Sequence, residues 1–215
     1  MIKTIIFDMD GVLVDTEKTR FLILKKILKK RGILVEDHDY KKWMGMKLET
    51  IFSTFFSKTI LPEYIVELRR EKDAIKEADP KKYVIAFQGL YTCLDRLIKQ
   101  GFNLVLASSS SKKNITFVLK TLNIAHFFQV IISSDDIAHQ KPAPDIYLLA
   151  IKKSSQKPNE CLVIEDSKLG LESAKKAGVK CIAVTNSFSK KELSKADGCI
   201  ASLDELTKEY IQLLS

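Results

Sequence analysis

Three aspartates lie close together near the amino terminus, in the stretch IIFDMDGVLVDTE that spans residues 5–17. Asp8 and Asp10 directly follow a run of apolar residues, and Asp15 comes shortly after them. Side chains two residues apart on an extended chain point the same way, and Gly11 permits a sharp departure of the chain. Such a pair can supply a nucleophile, a proton donor or ligands for a hard cation. Taken alone, the stretch is equally compatible with Asp8 capping a turn.

Three more stretches place polar side chains at or near the end of an apolar run. They read LVLASSSSKKN at residues 104–114, DDIAHQKPAPDIY at residues 135–147 and CLVIEDSKLG at residues 161–170. In parallel sheets, ligands bind beyond the carboxyl ends of the strands. We therefore expect the polar groups of all four stretches to converge on one site.

The apolar runs alternate with longer amphipathic stretches along most of the chain. The runs predict buried strands at Ile2–Phe7, Phe102–Ala107, Val130–Ile132, Cys161–Ile164 and Lys180–Val184. The amphipathic stretches predict helices at Leu90–Lys99, Lys113–Thr121, Asp145–Lys153 and Ser167–Lys176. This alternation predicts an α/β fold, a Rossmann-like parallel sheet with helices on both faces.

One segment interrupts the alternation, because residues 16–82 contain no convincing strand. Amphipathic stretches at Arg20–Lys30, Leu48–Phe56 and Glu63–Glu77 predict a small all-α unit there. The chain would leave the sheet after the first strand and return near Val84. We therefore expect an α/β core domain at residues 1–14 and 83–215, with a helical cap domain at residues 15–82.

Composition narrows the class of protein. Hydrophobic residues make up 46% and charged residues 29% of the 215 residues, as in ordinary globular proteins. The net charge of +8 could indicate nucleic acid, but the lysines occur largely in pairs that fit the solvent faces of helices. We expect no nucleic-acid partner, and the remaining charge could attract anionic substrates.

Location and cysteine chemistry follow from what the sequence lacks. It has no signal-peptide pattern and no apolar run approaching ~18 residues, so we expect a cytoplasmic monomer with no membrane contact. The four cysteines are widely spaced, without a CxxC pair, and this pattern favours buried free thiols over zinc or disulfides.

In order and spacing, the four stretches resemble the four motifs of the haloacid dehalogenase superfamily, in the branch with a helical cap inserted after the first motif. The resemblance covers nearly the whole chain. It implies hydrolysis of a phosphate ester through an aspartyl-phosphate intermediate. The roles of individual residues follow from this resemblance rather than from their spacing.

The resemblance implies that Asp8 is the nucleophile. The Asp10 side chain would protonate the leaving oxygen and later accept a proton from water, and Lys141 would neutralise negative charge on Asp8 and the transferring phosphoryl group. Ser108 would donate a hydrogen bond to a phosphoryl oxygen, assisted by the backbone N–H of Ser109. A serine run is also common at a helix start, and Ser110 or Ser111 can serve there as the N-cap.

The resemblance also implies a Mg²⁺ ion. A carboxylate and a phosphate repel each other by roughly 4 kcal/mol per pair of unit charges at about 4 Å with an effective dielectric constant near 20, so positive charge is needed. The implied metal ligands are the Asp8 side chain, the Asp10 backbone carbonyl and the Asp166 side chain. Glu165 would bind the metal directly or through water.

Candidates for binding the rest of a small phosphorylated substrate lie outside these motifs. Lys112 follows the serine run, and Lys47 lies two residues after Gly45 in the predicted cap. We expect Lys47 to reach the remote end of the substrate, and Arg20 could also face it. For Arg20 and Lys47, a position on a solvated helix or loop remains an alternative.

Within the superfamily, the sequence is most similar to the group of β-phosphoglucomutases and sugar-phosphate phosphatases. Those mutases have an arginine three residues after the cap glycine, where this chain has Leu48, and they read Ser-Ala-Ser-Lys-Asn where residues 108–112 read SSSSK. Both departures favour a phosphatase of small phosphorylated metabolites, such as sugar phosphates, over a mutase. A dehalogenase would not need the carboxylates of Glu165 and Asp166. A non-catalytic phosphate-binding or regulatory protein is the third alternative.

Overall fold

The computed structural model describes residues 1–44, 46–56 and 62–214. Within them the chain divides into two compact units. The sheet unit contains Met1–Val14 and the chain from Ala86 onward, and the helical unit contains Asp15–Ile85.

In the described residues, the sheet unit contains one six-stranded parallel sheet, with strands in the order β3-β2-β1-β4-β5-β6. Its strands are β1 (Thr4–Phe7), β2 (Asn103–Ala107), β3 (Val130–Ile132), β4 (Cys161–Glu165), β5 (Lys180–Val184) and β6 (Gly198–Ile200). Every residue of β1 and β4 is buried, so both faces of the central strands are covered. The predicted α/β parallel sheet is confirmed.

The three central strands end within one residue of one another in the sheet register. Phe7 of β1 pairs with Leu106 of β2 on one side and with Ile164 of β4 on the other. The residues that follow these three positions therefore leave the sheet at the same edge. They carry the carboxylates and the serine run identified in the sequence.

The helices of the sheet unit follow the predicted pattern closely. They are α6 (Leu90–Lys99), α7 (Lys112–Leu122), α8 (Asp145–Lys153), α9 (Lys168–Lys176) and α10 (Lys208–Leu213). Ser111 caps α7 by accepting a hydrogen bond from the Asn114 N–H, and Ser167 caps α9 by accepting one from the Gly170 N–H. Ser167 was predicted as the first residue of its helix and is instead the cap.

The helical unit contains α1 (Thr16–Lys30), α2 (Asp39–Trp43), α3 (Leu48–Phe56), α4 (Pro62–Ala78) and α5 (Pro80–Tyr83). Its core is rich in aromatic rings. The ring of Trp43 packs against Phe21, Phe55 and Phe56 at centroid distances of 5.7–5.9 Å. Phe21, Trp43 and Phe52 are almost fully buried, so this unit has a hydrophobic core of its own.

The structure also differs from the sequence prediction at the end of the helical unit and in strand β6. Residues 83–85 belong to the helical unit rather than to the sheet unit, because Tyr83 is buried in the helical core and its carbonyl accepts a hydrogen bond from the Thr19 hydroxyl. Strand β6 was not predicted, since three residues with two half-buried positions carry too little hydrophobic pattern.

Two further observations concern membrane-spanning helices and thiols. No helix among the residues described is long and apolar enough to cross a membrane. All four cysteines are free; Cys93, Cys161 and Cys181 are buried, as predicted, whereas Cys199 is half-buried.

Candidate active site

Polar side chains from four segments meet at the carboxyl edge of the sheet. Asp8 follows β1, Ser108 follows β2, Lys141 precedes α8, and Glu165 is the last residue of β4. The Asp8 N–H donates to the Ile164 carbonyl and so continues the ladder between β1 and β4. The convergence expected from the sequence is therefore present.

Lys141 forms the centre of this cluster. Its Nζ lies 2.5 Å from Asp8 Oδ1 and 2.6 Å from Glu165 Oε1. The Lys141 side chain is only 8% exposed, and the Glu165 side chain 1%. Charges this deeply buried interact far more strongly than surface charges, so the ammonium group is fixed between two carboxylates.

The pKa values of the cluster reflect an excess of negative charge. Burial raises the pKa of Asp8 well above its ordinary value; Lys141 opposes the rise, and Glu165, Asp166 and Asp10 add to it. Burial alone would lower the pKa of Lys141, but Asp8 and Glu165 outweigh it and raise that pKa. Lys141 is therefore held as a cation, and one cation faces four carboxyl groups.

Glu165 has a different surrounding from the one predicted. Its Oε1 accepts hydrogen bonds from Lys141 and from the Tyr147 hydroxyl at 2.6 Å each, and its Oε2 accepts from the N–H groups of Asp166 and Ser167 and from the Ser167 hydroxyl. Lys141 and Tyr147 help to lower the pKa of Glu165 against the effect of burial. Because five donors already occupy both oxygens, Glu165 is better suited to position Lys141 than to bind a metal.

Tyr147 and Gly170 support this arrangement and were not identified from the sequence. Tyr147 is fully buried, and Lys141 Nζ lies 4.9 Å from the centre of its ring, a cation–π distance. A Cβ atom at Gly170 would lie 1.8 Å from Glu165 Oε1, so only glycine leaves room for that carboxylate. Tyr147 could have been found from its place in KPAPDIY, two residues after the start of α8.

The Asp10 side chain is held by serine hydroxyls. Its Oδ2 accepts hydrogen bonds from Ser110 Oγ at 2.8 Å and from Ser108 Oγ at 3.3 Å. Ser108 also accepts from the Ser110 N–H at 3.1 Å, and Asn114 Nδ2 donates to Ser110 Oγ at 3.0 Å. Ser108 was expected to bind a phosphoryl oxygen, but here it contacts Asp10, and Ser110 acts beside it rather than as a helix cap.

Asp166 is the buried residue that directly follows β4. Burial and, next, Glu165 raise its pKa to about 7, whereas a hydrogen bond from the Ser187 hydroxyl opposes the rise. Gly11 has a φ of +84°, and a Cβ there would lie 1.9 Å from Asp166 Oδ2. The absence of a side chain at Gly11 thus makes room for the Asp166 carboxylate next to the Asp10 loop.

Ser187 and Asn186 follow β5 and were also missed. Asn186 Nδ2 donates to the Gly11 carbonyl at 2.9 Å, so the loop after β5 supports the loop after β1. Ligand-binding groups gather beyond the carboxyl ends of parallel strands, and the loop after β5 follows this rule although it lies outside the four sequence stretches.

A Mg²⁺ ion at this site would need oxygen ligands from the carboxylate cluster. Within the described chain, no three side chains of His, Cys, Asp or Glu are arranged as a metal-binding group, because Lys141 contacts Asp8 and Glu165, and serines contact Asp10 and Asp166. Mg²⁺, however, is commonly held by only one or two carboxylates together with water and phosphate oxygens. Asp8, Asp166 and the Asp10 carbonyl match that pattern, and the excess of negative charge favours a cation. The residues therefore fit Mg²⁺, without Glu165 as a ligand.

The remaining predicted residues are exposed or half-buried. Ser109 is exposed, and Lys112 is exposed at the start of α7, with its backbone N–H donating to Asp135 Oδ2. In the helical unit, Lys47 is exposed, and Arg20 is half-buried with its guanidinium bound to the Met46 carbonyl. The substrate-binding roles of Ser109, Lys112 and Lys47 stay predictions.

Comparison with known proteins adds independent information. The family of haloacid dehalogenase-like hydrolases matches residues 5–184. YhcW of Bacillus subtilis, named as a candidate phosphatase, is 35% identical over 192 residues, 86% of this chain and 84% of YhcW. The phosphorylated carbohydrates phosphatase of Thermotoga maritima is 28% identical over 184 residues, 84% of this chain and 83% of that protein.

A solved structure has the same fold. A candidate β-phosphoglucomutase from Thermotoga maritima is 25% identical, with a TM-score of 0.80 over 99% of this chain and 100% of that chain. The family match covers most of the chain, and the buried site lies within it. This chain belongs to the haloacid dehalogenase-like hydrolases.

Proposed function

We propose that this protein is a Mg²⁺-dependent phosphatase that hydrolyses small phosphorylated metabolites, sugar phosphates among them, through a phosphorylated Asp8. The contact between buried Lys141 and Asp8, 2.5 Å between Nζ and Oδ1, carries the proposal. It fixes a carboxylate beside an ammonium group where a parallel sheet binds ligands. Family membership and the phosphatase names of the relatives support it.

In the first step, an Asp8 carboxylate oxygen forms a bond to phosphorus, and the bond from phosphorus to the ester oxygen breaks. Asp10 donates a proton to that oxygen, and the product alcohol leaves. Since the serine hydroxyls both bind Asp10 Oδ2, we assign proton transfer to Oδ1. This orientation keeps the acid at a fixed position beside the nucleophile.

In the second step, water attacks the phosphorus of the phosphorylated Asp8. Asp10, now ionised, accepts a proton from that water, the bond between Asp8 and phosphorus breaks, and inorganic phosphate is released. The covalent intermediate divides one difficult hydrolysis into two easier steps.

Lys141 opposes the repulsion between Asp8 and the anionic ester. One unlike pair of unit charges at about 4 Å contributes roughly 4 kcal/mol of attraction at an effective dielectric constant near 20. Glu165 and Tyr147 hold this ammonium group in place, so the cation does not have to reorganise during the reaction.

The proposed Mg²⁺ ligands are the side chains of Asp8 and Asp166 and the backbone carbonyl of Asp10. When bound, the ion supplies further positive charge that offsets repulsion and orients phosphoryl oxygens. Glu165 is not among these ligands, because both of its oxygens already accept hydrogen bonds, and it acts only by positioning Lys141. Ser109, Lys112 and Lys47 are proposed to contact the substrate.

A phosphosugar mutase is the second candidate, because a candidate β-phosphoglucomutase shares the fold over nearly the whole chain. A mutase must bind a second phosphate, and the arginine expected for this in the cap is replaced by Leu48. The phosphatase is therefore preferred. Conversion of a hexose phosphate to its isomer without net release of phosphate would favour the mutase instead.

The experiment has two measurements. Release of p-nitrophenol from p-nitrophenyl phosphate with Mg²⁺ tests for phosphatase activity, and mass spectrometry of acid-quenched protein tests for a phosphoryl group on the peptide that contains Asp8. We expect both. Turnover without any phosphorylated peptide under rapid quench would contradict the covalent route, and no turnover on any phosphorylated compound of a broad panel would contradict the phosphatase.

A further inference from the structure

The helical unit contains a pocket of about 420 Å³ between helices α1, α3 and α4. Pockets of roughly 300–1,000 Å³ are typical of small-molecule sites. Its apolar lining comes from three helices and consists of Ile23, Leu24, Ile27, Leu48, Ile65 and Leu68. Five of these six side chains are buried, so the floor is an apolar surface that would accept a hydrocarbon group.

The polar lining of the same pocket is mainly cationic. Arg20, Lys47, Arg69 and Lys72 contribute positive charge, and Glu49 contributes one carboxylate. Among described residues, neither Lys47 nor Arg69 forms an ion pair. An unpaired cation beside an apolar floor favours a ligand that is apolar at one end and anionic at the other.

Arg20 fixes one side of this pocket. Its guanidinium donates to the Met46 carbonyl at 2.7 Å and to the Trp43 carbonyl at 3.1 Å, and it also pairs with Glu17 at 2.5 Å. Arg20 therefore holds the backbone just before Lys47, and its charge is largely satisfied by protein groups. Lys72 lies 3.7 Å from the Asp73 carboxylate. Among the described residues of the lining, Lys47 and Arg69 are therefore the cations without an ion-pair partner.

We propose that this pocket in the helical unit binds an organic anion with an apolar body, the hydrocarbon part on the floor and the anionic group near Arg69 and Lys47. A ligand of this chemistry differs from a simple sugar phosphate, whose hydroxyl groups would lose hydrogen bonds to water on an apolar floor. Any use of the pocket for the non-reacting part of a substrate rests on the proposed function.

The probes are butane-, hexane- and octanesulfonate, which a phosphatase does not hydrolyse. They are titrated by calorimetry into the full-length protein with Mg²⁺ and saturating inorganic phosphate, so that anion binding in the sheet unit is suppressed. Each added methylene group should strengthen binding by up to about fourfold if it becomes buried. Trp43 is the sole tryptophan and belongs to the helical unit, so its fluorescence gives a second readout local to that unit.

Two matched pairs of variants test the lining. Arg69→Gln should weaken octanesulfonate binding by about two- to fivefold, the size of an exposed ion pair, and Arg70→Gln, exposed on the same helix and not lining the pocket, should not. Leu48→Gln should reduce the gain per methylene group, and Leu34→Gln at a residue that is 79% exposed should leave it unchanged. Circular dichroism checks that all four variants fold.

Affinity that rises with chain length, with losses confined to Arg69→Gln and Leu48→Gln, supports the pocket. Affinity independent of chain length, or equal in each variant and its control, overturns it. Turnover of p-nitrophenyl phosphate separates the two proposals. If the protein binds octanesulfonate but has no phosphatase activity, the proposed pocket stands and the proposed function is contradicted. Phosphatase activity without chain-length dependence retracts the pocket and keeps the function.

Discussion

The sheet unit and the helical unit treat their charged groups in opposite ways. In the sheet unit, Lys141 is 8% exposed and contacts two carboxylates, whereas in the helical unit Lys47 and Arg69 are exposed at the rim of an apolar pocket. Buried charges need partners, because removing one partner leaves an uncompensated charge in a low dielectric. Exposed charges need none and contribute little to stability.

From this difference we infer that the two units have different roles. In the proposed mechanism, the buried network around Asp8 supplies the groups that hydrolysis of any phosphate ester requires, and breaking one of its buried ion pairs has a large energetic cost. The rim cations of the helical unit can be exchanged at little cost to folding. We therefore expect substitutions in the sheet unit to affect turnover of every substrate and substitutions in the helical unit to affect the choice among substrates.

The largest effect is expected for Asp8→Asn, which breaks the network at the proposed nucleophile. An amide cannot form the acyl phosphate, so turnover of p-nitrophenyl phosphate should fall by at least about 10⁴-fold, as for other lost nucleophiles. Asp95→Asn, a change at an exposed aspartate that pairs with Lys99, is the control. A folded Asp8→Asn protein, free of deamidated chain and still near wild-type activity, would contradict the covalent mechanism.

Removal of the metal should have a comparable but reversible effect. EDTA should abolish activity, Mg²⁺ should restore it, and Ca²⁺ should inhibit, because the larger ion accepts more ligands and looser geometries. Independently of activity, Mg²⁺ should raise the melting temperature of the protein, since a ligand at ~100 times its Kd stabilises by about 2.7 kcal/mol. Asp166→Asn should lose this shift, and full activity in metal-free buffer would contradict the proposed ligands.

A smaller effect is expected for Tyr147→Phe, because it removes only one buried hydrogen bond of the sheet unit and leaves the charged groups in place. The hydroxyl donates to Glu165, and hydrogen bonds to charged groups contribute about 1.5–3 kcal/mol. We expect kcat to fall by about tenfold with little change in KM, because Lys141 is positioned less well. Tyr91→Phe, which removes the hydroxyl donor to the Leu122 carbonyl, is the matched control.

The unfolding free energy and kcat of Tyr147→Phe together show what the hydroxyl does. Loss of unfolding free energy with unchanged kcat would make Tyr147 a structural residue only. Loss of kcat in a variant that is as stable as Tyr91→Phe would assign it a positioning role.

The smallest effect is expected for Lys47→Ala in the helical unit. It should raise KM or shift the preference among phosphorylated metabolites, while cleavage of p-nitrophenyl phosphate changes little, the pattern for lost binding remote from the reacting atoms. Kinetics on both kinds of substrate provide the measurement. Equal losses on both would place Lys47 in the chemistry or the fold, and no loss on either would leave it a solvated lysine.

Much of the sheet unit could be predicted because strand signals there are local. Three consecutive apolar residues at Ile5–Phe7, and four at Cys161–Ile164, predict buried strands whatever surrounds them. The partners of each polar group could not be predicted. Ser108 and Ser110 bind Asp10, and Glu165 binds Lys141 and Tyr147, contacts between segments far apart in the chain.

The sequence by itself determined the parallel sheet, the helical insert, the position of Asp8, Asp10 and Asp166 at or near strand ends and that of Lys141 shortly before α8, because these depend on residue type and period. Only the tertiary structure decided that Glu165 holds Lys141, that Ser187 and Asn186 support the site, and that an apolar pocket with exposed cations lies between α1, α3 and α4. The physical reason is that hydrogen bonds and cavities arise from distances between side chains brought together by folding, and a residue's own neighbours in sequence do not specify those distances.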